Sequence, residues 1–208
     1  FKQKTAYEIV DCDWSSDVCS SDLRLGAYVG LRDDELEAVA YGALLHDIGK
    51  IAMPESILHK PGPLTEDEFR EMKLHPEIGE RICGPLRIAR SFSAIIRHHH
   101  ERWDGRGYPD GIAGEEIPLG ARIVAIADAY DAIVRGRVYR PARSIGEAVD
   151  ELRRHSGTQF DPGLVPLFVD EIDRLSSGTP PSVELPAVAR LAVAIPIRPE
   201  GAGTPIRG

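Results

Sequence analysis

A chain of 208 residues with a formal net charge of -8 has room for one domain with a substantial core, but not for a catalytic domain and a full sensor domain together. The acidic balance excludes a surface built for duplex nucleic acid, which has to neutralise phosphates. No run approaches the roughly 18 apolar residues needed to span a bilayer, no apolar signal-peptide core opens the chain, and Cys12, Cys19 and Cys83 make neither a paired framework nor a zinc spacing; the expected location is the cytoplasm.

Residues 1–23 show neither a helical nor an alternating apolar period. The string from Trp14 to Leu23 resembles translated sequencing-adapter sequence, and the segment is set apart as non-native or disordered. From Arg24 the pattern turns helical. Leu25, Tyr28 and Val29 share a face, and Gly30-Leu31 reads as a C-cap with its hydrophobic contact. Asp33 or Asp34 caps a second helix ending at His46-Asp47. Pro54, Pro61, Gly62 and Pro63 make 51–63 an irregular loop. Thr65 and Glu68 have capping-box spacing. His75-Pro76 ends that helix, and Pro76 suits the first turn of the next.

Pro85 opens a helix whose apolar side is Leu86, Ile88, Ala89, Phe92, Ile95 and Ile96, and which runs into His98-His99-His100-Glu101. Residues 103–114, with Gly105, Gly107, Pro109, Gly111 and Gly114, form a loop that must bend sharply or approach something closely. Residues 119–134 are apolar on nearly every side and so are buried, yet they include Asp128 and Asp131. Ser144 and Glu147 make a second capping box. Asp161-Pro162 supplies a cap and a first-turn proline for a last helix carrying Leu164, Leu167, Phe168 and Ile172. Residues 177–208 read as a Pro/Gly-rich, poorly structured tail, with a short candidate strand at 191–197. Neither a repeat nor a sheet emerges, so the expected fold class is all-α, over 24–176.

His46, Asp47, His75, His99, His100 and Asp128 fall at helix ends or on buried faces. An adjacent His-Asp pair alone is most simply a helix cap. An ionised Asp is costly to bury without compensation, however, and a divalent cation held jointly with imidazoles supplies it. An imidazole–carboxylate set without thiolate suits iron, manganese or zinc. Six such ligands exceed what one ion takes from protein while leaving open positions. Two nearby ions clamp the attacking and leaving oxygens of phosphoryl transfer, so hydrolysis of a phosphate ester is the expected reaction class.

His46-Asp47 with Asp128 resembles the HD superfamily of metal-dependent phosphohydrolases. The longer runs His46-Asp47-Ile48-Gly49-Lys50 and His99-His100-Glu101-Arg102-Trp103-Asp104-Gly105-Arg106-Gly107-Tyr108-Pro109-Asp110-Gly111 resemble its HD-GYP subfamily, over about residues 24–172. The resemblance implies a helical bundle with a glycine-rich loop, two or three iron or manganese ions, and hydrolysis of cyclic di-GMP to linear pGpG or onward to GMP. By position it implies metal ligation by His46, Asp47, His75, His99, His100 and Asp128, with Asp47 bridging. Lys50 would face the scissile phosphate or the nucleophile, Tyr108 would lie in the ligand-facing loop, and Arg137 and Arg140 would grip the phosphates. Residue chemistry agrees on the arginines: Arg135, Arg137, Arg140 and Arg143 form a basic run whose guanidinium forks match phosphate, with a solvated helix end as the plainer alternative. Diguanylate cyclase domain proteins are candidate partners in the alternative reading of a silent binding module, and the oligomeric state, a homodimer included, stays open.

His98, His59 and His155 match no ligand position. Asp131 is placed to hydrogen-bond a ligating imidazole, and Trp103 to anchor the glycine loop by packing. The chain departs from the family at its first helix. The family histidine about 32 residues before His46 falls at Trp14, a carboxylate one turn earlier falls at Val10, and no histidine precedes His46. Incomplete metal binding and poor hydrolysis are therefore expected. Competing readings are hydrolysis of another nucleotide and a catalytically silent module that binds cyclic di-GMP or a partner.

Overall fold

The computed structural model describes the backbone of residues 16–135 and 143–177 and the side chains of 22–135 and 143–177. Regular structure within them is helical: α1 (Ser16–Tyr28), α2 (Asp33–Leu45), a 3-10 turn (Ile48–Ala52), α3 (Glu55–Leu58), α4 (Glu66–Met72), α5 (His75–Cys83), α6 (Ala89–His98), a short 3-10 stretch after the glycine loop (Gly114–Glu116), α7 (Leu119–Val134), α8 (Ile145–Arg154) and α9 (Leu164–Ser176). The all-α expectation holds, with one isolated β-bridge, Ser156 to Phe160, among the described residues.

The bundle is built around α7, which packs on α1, α2, α6 and α8. Its Ala121, Ile123, Val124, Ile126 and Ala127 are fully buried together with Phe92 of α6 and Leu152 of α8. A smaller cluster of Met53, Ile57, Leu64 and Met72 fastens the 53–72 segment. Both capping boxes form: Thr65 and Ser144 each accept from the N3 backbone while Glu68 and Glu147 reach back. At the end of α1, Leu31 donates to the Gly26 carbonyl at 3.0 Å and Gly30 to that of Ala27 at 3.1 Å. Gly30 takes φ +84°, as such a C-cap requires.

Several boundaries differ from the sequence reading. The division at Arg24 falls inside α1, where Asp22 and Leu23 are wholly buried; few apolar residues among serines hid the helical period. The N-cap of α2 is Arg32, whose backbone and guanidinium both bind Glu35, rather than Asp33 or Asp34. The 51–63 loop contains the end of the 3-10 turn and α3. His75 is itself the first residue of α5, with Pro76 next. The helix assigned to Pro85 begins at Ala89, leaving Leu86 and Ile88 half exposed. Asp161 precedes α9 as a turn residue, its Oδ1 accepting the Gly163 N–H at 2.7 Å. The expected tail, the 191–197 strand, and Trp14, Val10, Arg137 and Arg140 lie outside the described residues.

Candidate metal centre

Three helix ends converge on Asp47. His46 caps α2, and Asp47 leads into the 3-10 turn that packs against α5. That contact brings His75 Nε2 to 3.2 Å from Asp47 Oδ1. The end of α6 delivers His99 Nε2, 4.0 Å from the same oxygen, while His46 Nε2 lies 3.2 Å from Asp47 Oδ2. The His100 ring sits 4.0 Å from that of His99 and 5.0 Å from that of His75, between centroids. One ligand atom each from Asp47, His75, His99 and His100 lies within 4.8 Å of the others. Asp128, in α7, is near enough for its charge to act on Tyr108 but falls outside this tight group.

Three of the imidazoles are fixed in the same way. Nδ1 of His46, His75 and His99 lies 2.6, 2.8 and 2.7 Å from the carbonyl oxygen three residues earlier, of Ala43, Met72 and Ile96. A carbonyl can only accept, so each Nδ1 carries the proton and donates, leaving the Nε2 lone pair for the centre. The supporting role expected of Asp131 is thus filled by backbone for these three; Asp131 lies 3.7 Å from Arg135. With this tautomer, Nε2 of His75 and His99 face each other as lone pairs at 3.3 Å. Such a pair repels unless a cation or a proton lies between. Beside it Asp47 is only a tenth exposed. The donor set therefore fits a divalent metal ion.

Burial pushes the His75 and His99 imidazoles below the ordinary histidine range, for His99 well below and aided by His46 and His75. Burial alone would raise Asp47, but Lys50 and His46 hold it well below the carboxylate range. These shifts keep the three candidate donors unprotonated. Because the imidazole values are depressed, protons compete for them only below the usual value of about 6.5. Bound metal is expected to stay constant from pH 8 to about 6.5 and to fall only on further acidification. Metal analysis after buffer exchange across that range checks this, and release already complete at pH 7 would contradict it.

Lys50 Nζ lies 2.5 Å from Asp47 Oδ2, with the side chain only 14% exposed, so its charge is committed to the centre. Tyr108 lies against His100, ring centroids 4.9 Å apart at 34°. Burial, with Asp47 and Asp128, pushes its phenol far up, so the hydroxyl keeps its proton and can donate. The glycine loop is pinned by residues given no role in the sequence reading. Glu101, its side chain fully buried, accepts the Asp110 and Gly111 N–H groups at 2.7 and 2.9 Å. Arg97 grips Asp110 through both carboxylate oxygens and reaches Glu80 at 2.9 Å. His98 Nδ1, 3.4 Å from Asp110, belongs to this anchor and not to the four-residue group. Trp103 packs under the Arg122 guanidinium at 5.8 Å.

Residues 15–164 match the HD domain family. The chain is an HD-domain protein. It is 48% identical over 139 residues to the cyclic di-GMP phosphodiesterase response regulator RpfG of Xanthomonas campestris, covering 66% of this chain and 37% of that protein. It is 41% identical over 153 residues to a cyclic di-GMP phosphodiesterase of Thermotoga maritima, covering 70% and 40%, and 39% identical over 152 residues to the 3'3'-cGAMP-specific phosphodiesterase 2 of Vibrio cholerae, covering 72% and 29%. The chain thus spans well under half the length of these relatives. In fold it resembles the crystal structure of a V. cholerae cyclic GMP-AMP phosphodiesterase, V-cGAP3, with a TM-score of 0.68, 22% identity, and coverage of 92% of this chain and 51% of that one. The resemblance to the HD-GYP branch stands.

The structure adds Asp22 to this HD domain. It is wholly buried in α1, and among the described residues neither carboxylate oxygen has a hydrogen-bond partner. Burial, with Asp131 and Asp128 nearby and His46 opposing, pushes its pKa well up. A raised folded-state value means stability is full below the ordinary carboxyl range and lost as pH rises through the shifted value. Asp22→Ala is therefore expected to stabilise the metal-free protein by about 1–3 kcal/mol at pH 8, raising Tm by several degrees, with a smaller gain at pH 5. Thermal denaturation at both pH values tests this, and a lower Tm for the variant at pH 8 would refute it.

Proposed function

We propose that this HD domain is a metal-dependent phosphodiesterase that hydrolyses cyclic di-GMP to pGpG or GMP, with two or three iron or manganese ions held by His46, Asp47, His75, His99, His100 and Asp128. The observation that carries this reading is the convergence of carbonyl-fixed imidazoles on a buried carboxylate, with opposed Nε2 atoms. Bound divalent ions supply a water of lowered pKa and neutralise the charge of the phosphoryl group. Asp47 presents its two oxygens to different imidazoles, the arrangement a bridging carboxylate needs. The Lys50 ammonium adds positive charge where the scissile phosphate has to lie, and the protonated Tyr108 phenol can donate to a phosphate or sugar oxygen. Arg137 and Arg140 help grip the phosphates of the dinucleotide in this reading.

The loss of the family's first-helix histidine, at Trp14, leaves the set one ligand short, so incomplete metal loading and slow turnover form part of the proposal. Because relatives with both substrate names match, the decisive experiment is a panel of cyclic di-GMP, 3'3'-cGAMP and a nucleoside triphosphate, assayed with added iron or manganese beside metal analysis of the same protein. Slow, metal-dependent cleavage of cyclic di-GMP is expected. Full occupancy with fast turnover would refute the defect, and binding without product under every metal would replace the enzyme by a silent binding module.

A further inference from the structure

The lysines of residues 46–75 differ in how they are held. Lys50 is paired with Asp47 and Lys60 with Glu68. Lys73, at the end of α4 and two residues before His75, has no carboxylate partner among the described residues. Its ammonium instead lies over two aromatic faces, 4.7 Å from the Phe69 ring centroid and 5.4 Å from that of Tyr108. Phe69 and Tyr108 meet edge to face at 6.4 Å, and Tyr108 in turn lies on His100. All three side chains are partly exposed. An ammonium held by ring quadrupoles is positioned without being neutralised, so it keeps its full charge for an anion from solution.

We propose that Lys73, positioned by Phe69 and Tyr108, binds a phosphate of the substrate that is not the one being cleaved. This rests on the phosphodiesterase reading above. The scissile phosphate has to reach Asp47 and the Nε2 cluster, whereas Lys73 stands one ring further out, beyond His100 and Tyr108. A ligand that fills both places carries two separated phosphodiesters, which is the chemistry of a cyclic dinucleotide. A substrate with a single phosphodiester engages only the inner place. Lys73 is then a specificity-determining contact that distinguishes dinucleotides from simple diesters.

The test compares Lys73→Met, which keeps the aliphatic stem, and Lys73→Arg with the unaltered protein, on cyclic di-GMP and on bis(p-nitrophenyl) phosphate, with metal content measured throughout. Lys73→Met is expected to raise KM for cyclic di-GMP about 10-fold with kcat within 2-fold, to leave KM for the simple diester unchanged, and to leave metal content unchanged; Lys73→Arg restores most of the KM. An unchanged KM for cyclic di-GMP overturns the proposal, as does an equal loss on both substrates, which marks a merely structural role through Tyr108. Equilibrium binding of cyclic di-GMP supplies a second arm. A protein without turnover whose Lys73→Met variant still binds about 10-fold more weakly sinks the hydrolase reading alone. A protein that neither cleaves nor binds the dinucleotide sinks both.

Discussion

On the proposed phosphodiesterase reading, Asp47→Asn is expected to deplete the centre: bound metal falls below half of that in the unaltered protein, and phosphodiester turnover drops by more than about 100-fold, since loss of a proposed direct ligand exceeds the 10- to 100-fold typical of supporting contacts. The reason is charge as much as geometry. Around Asp47 stand the Nε2 atoms of His46 and His75 and the Lys50 ammonium, at 3.2, 3.2 and 2.5 Å, so the carboxylate is the negative partner for the imidazole lone pairs' cation and for a nearly buried lysine. An amide offers one neutral oxygen, and it leaves Lys50 buried without its counter-ion. The metal-free variant is accordingly expected to lose roughly 3 kcal/mol of stability. His98→Gln is the matched control, because His98 faces Asp110 and its replacement is expected to spare metal content. Metal analysis and denaturant unfolding of both variants read the comparison. Equal metal content in Asp47→Asn and the unaltered protein would remove Asp47 from the centre.

Much of the candidate site could be read from sequence because its proposed ligands sit where local rules place helix ends. Pro76 marks the start of α5 beside His75, the apolar face of α6 runs straight into His99 and His100, and the α2 pattern stops at His46. What escaped depends on how helices meet. Asp22 looks like one more polar residue in a serine-rich stretch, and only the packing of α1 against α7 and α9 shows that it is buried beside Asp131. Glu101, Arg97 and Lys73 sit within or close to the motifs, yet their partners Asp110, Glu80 and Tyr108 lie 9 to 35 positions away in the chain, and no periodicity reports such pairings. Leu86 and Ile88 misled in the opposite sense. Their spacing suits a helix, but the chain turns there, with Leu86 bonded to the Cys83 carbonyl and Ala89 to that of Leu86, and both side chains face water.

Gly49→Ala is expected to damage the protein far more than the same methyl addition at Gly30, in the α1 cap. A Cβ at Gly49 would lie 1.9 Å from the His75 carbonyl oxygen and 2.7 Å from the Gly79 nitrogen. Both are backbone atoms of α5, so no side chain can swing aside, and the 3-10 turn has to lift off the helix. Backbone conformation is not the cause, since Gly49 is absent from the positive-φ glycines; the constraint is space alone. The same close approach holds His75 Nε2 at 3.2 Å from Asp47, so relief of the clash separates two of the proposed metal ligands. The variant should lose about 3 kcal/mol, at the upper end for overpacking, which lowers Tm by roughly 6–12 °C for a domain of this size, and it should lose metal in parallel. Gly30→Ala separates the two effects. At φ +84° it strains the α1 C-cap by about 1 kcal/mol, but a Cβ there meets nothing within 4 Å, so Tm falls modestly and metal content holds. A Gly49→Ala protein with unaltered Tm and full metal would show that the contact between the 3-10 turn and α5 does not set the spacing of Asp47 and His75.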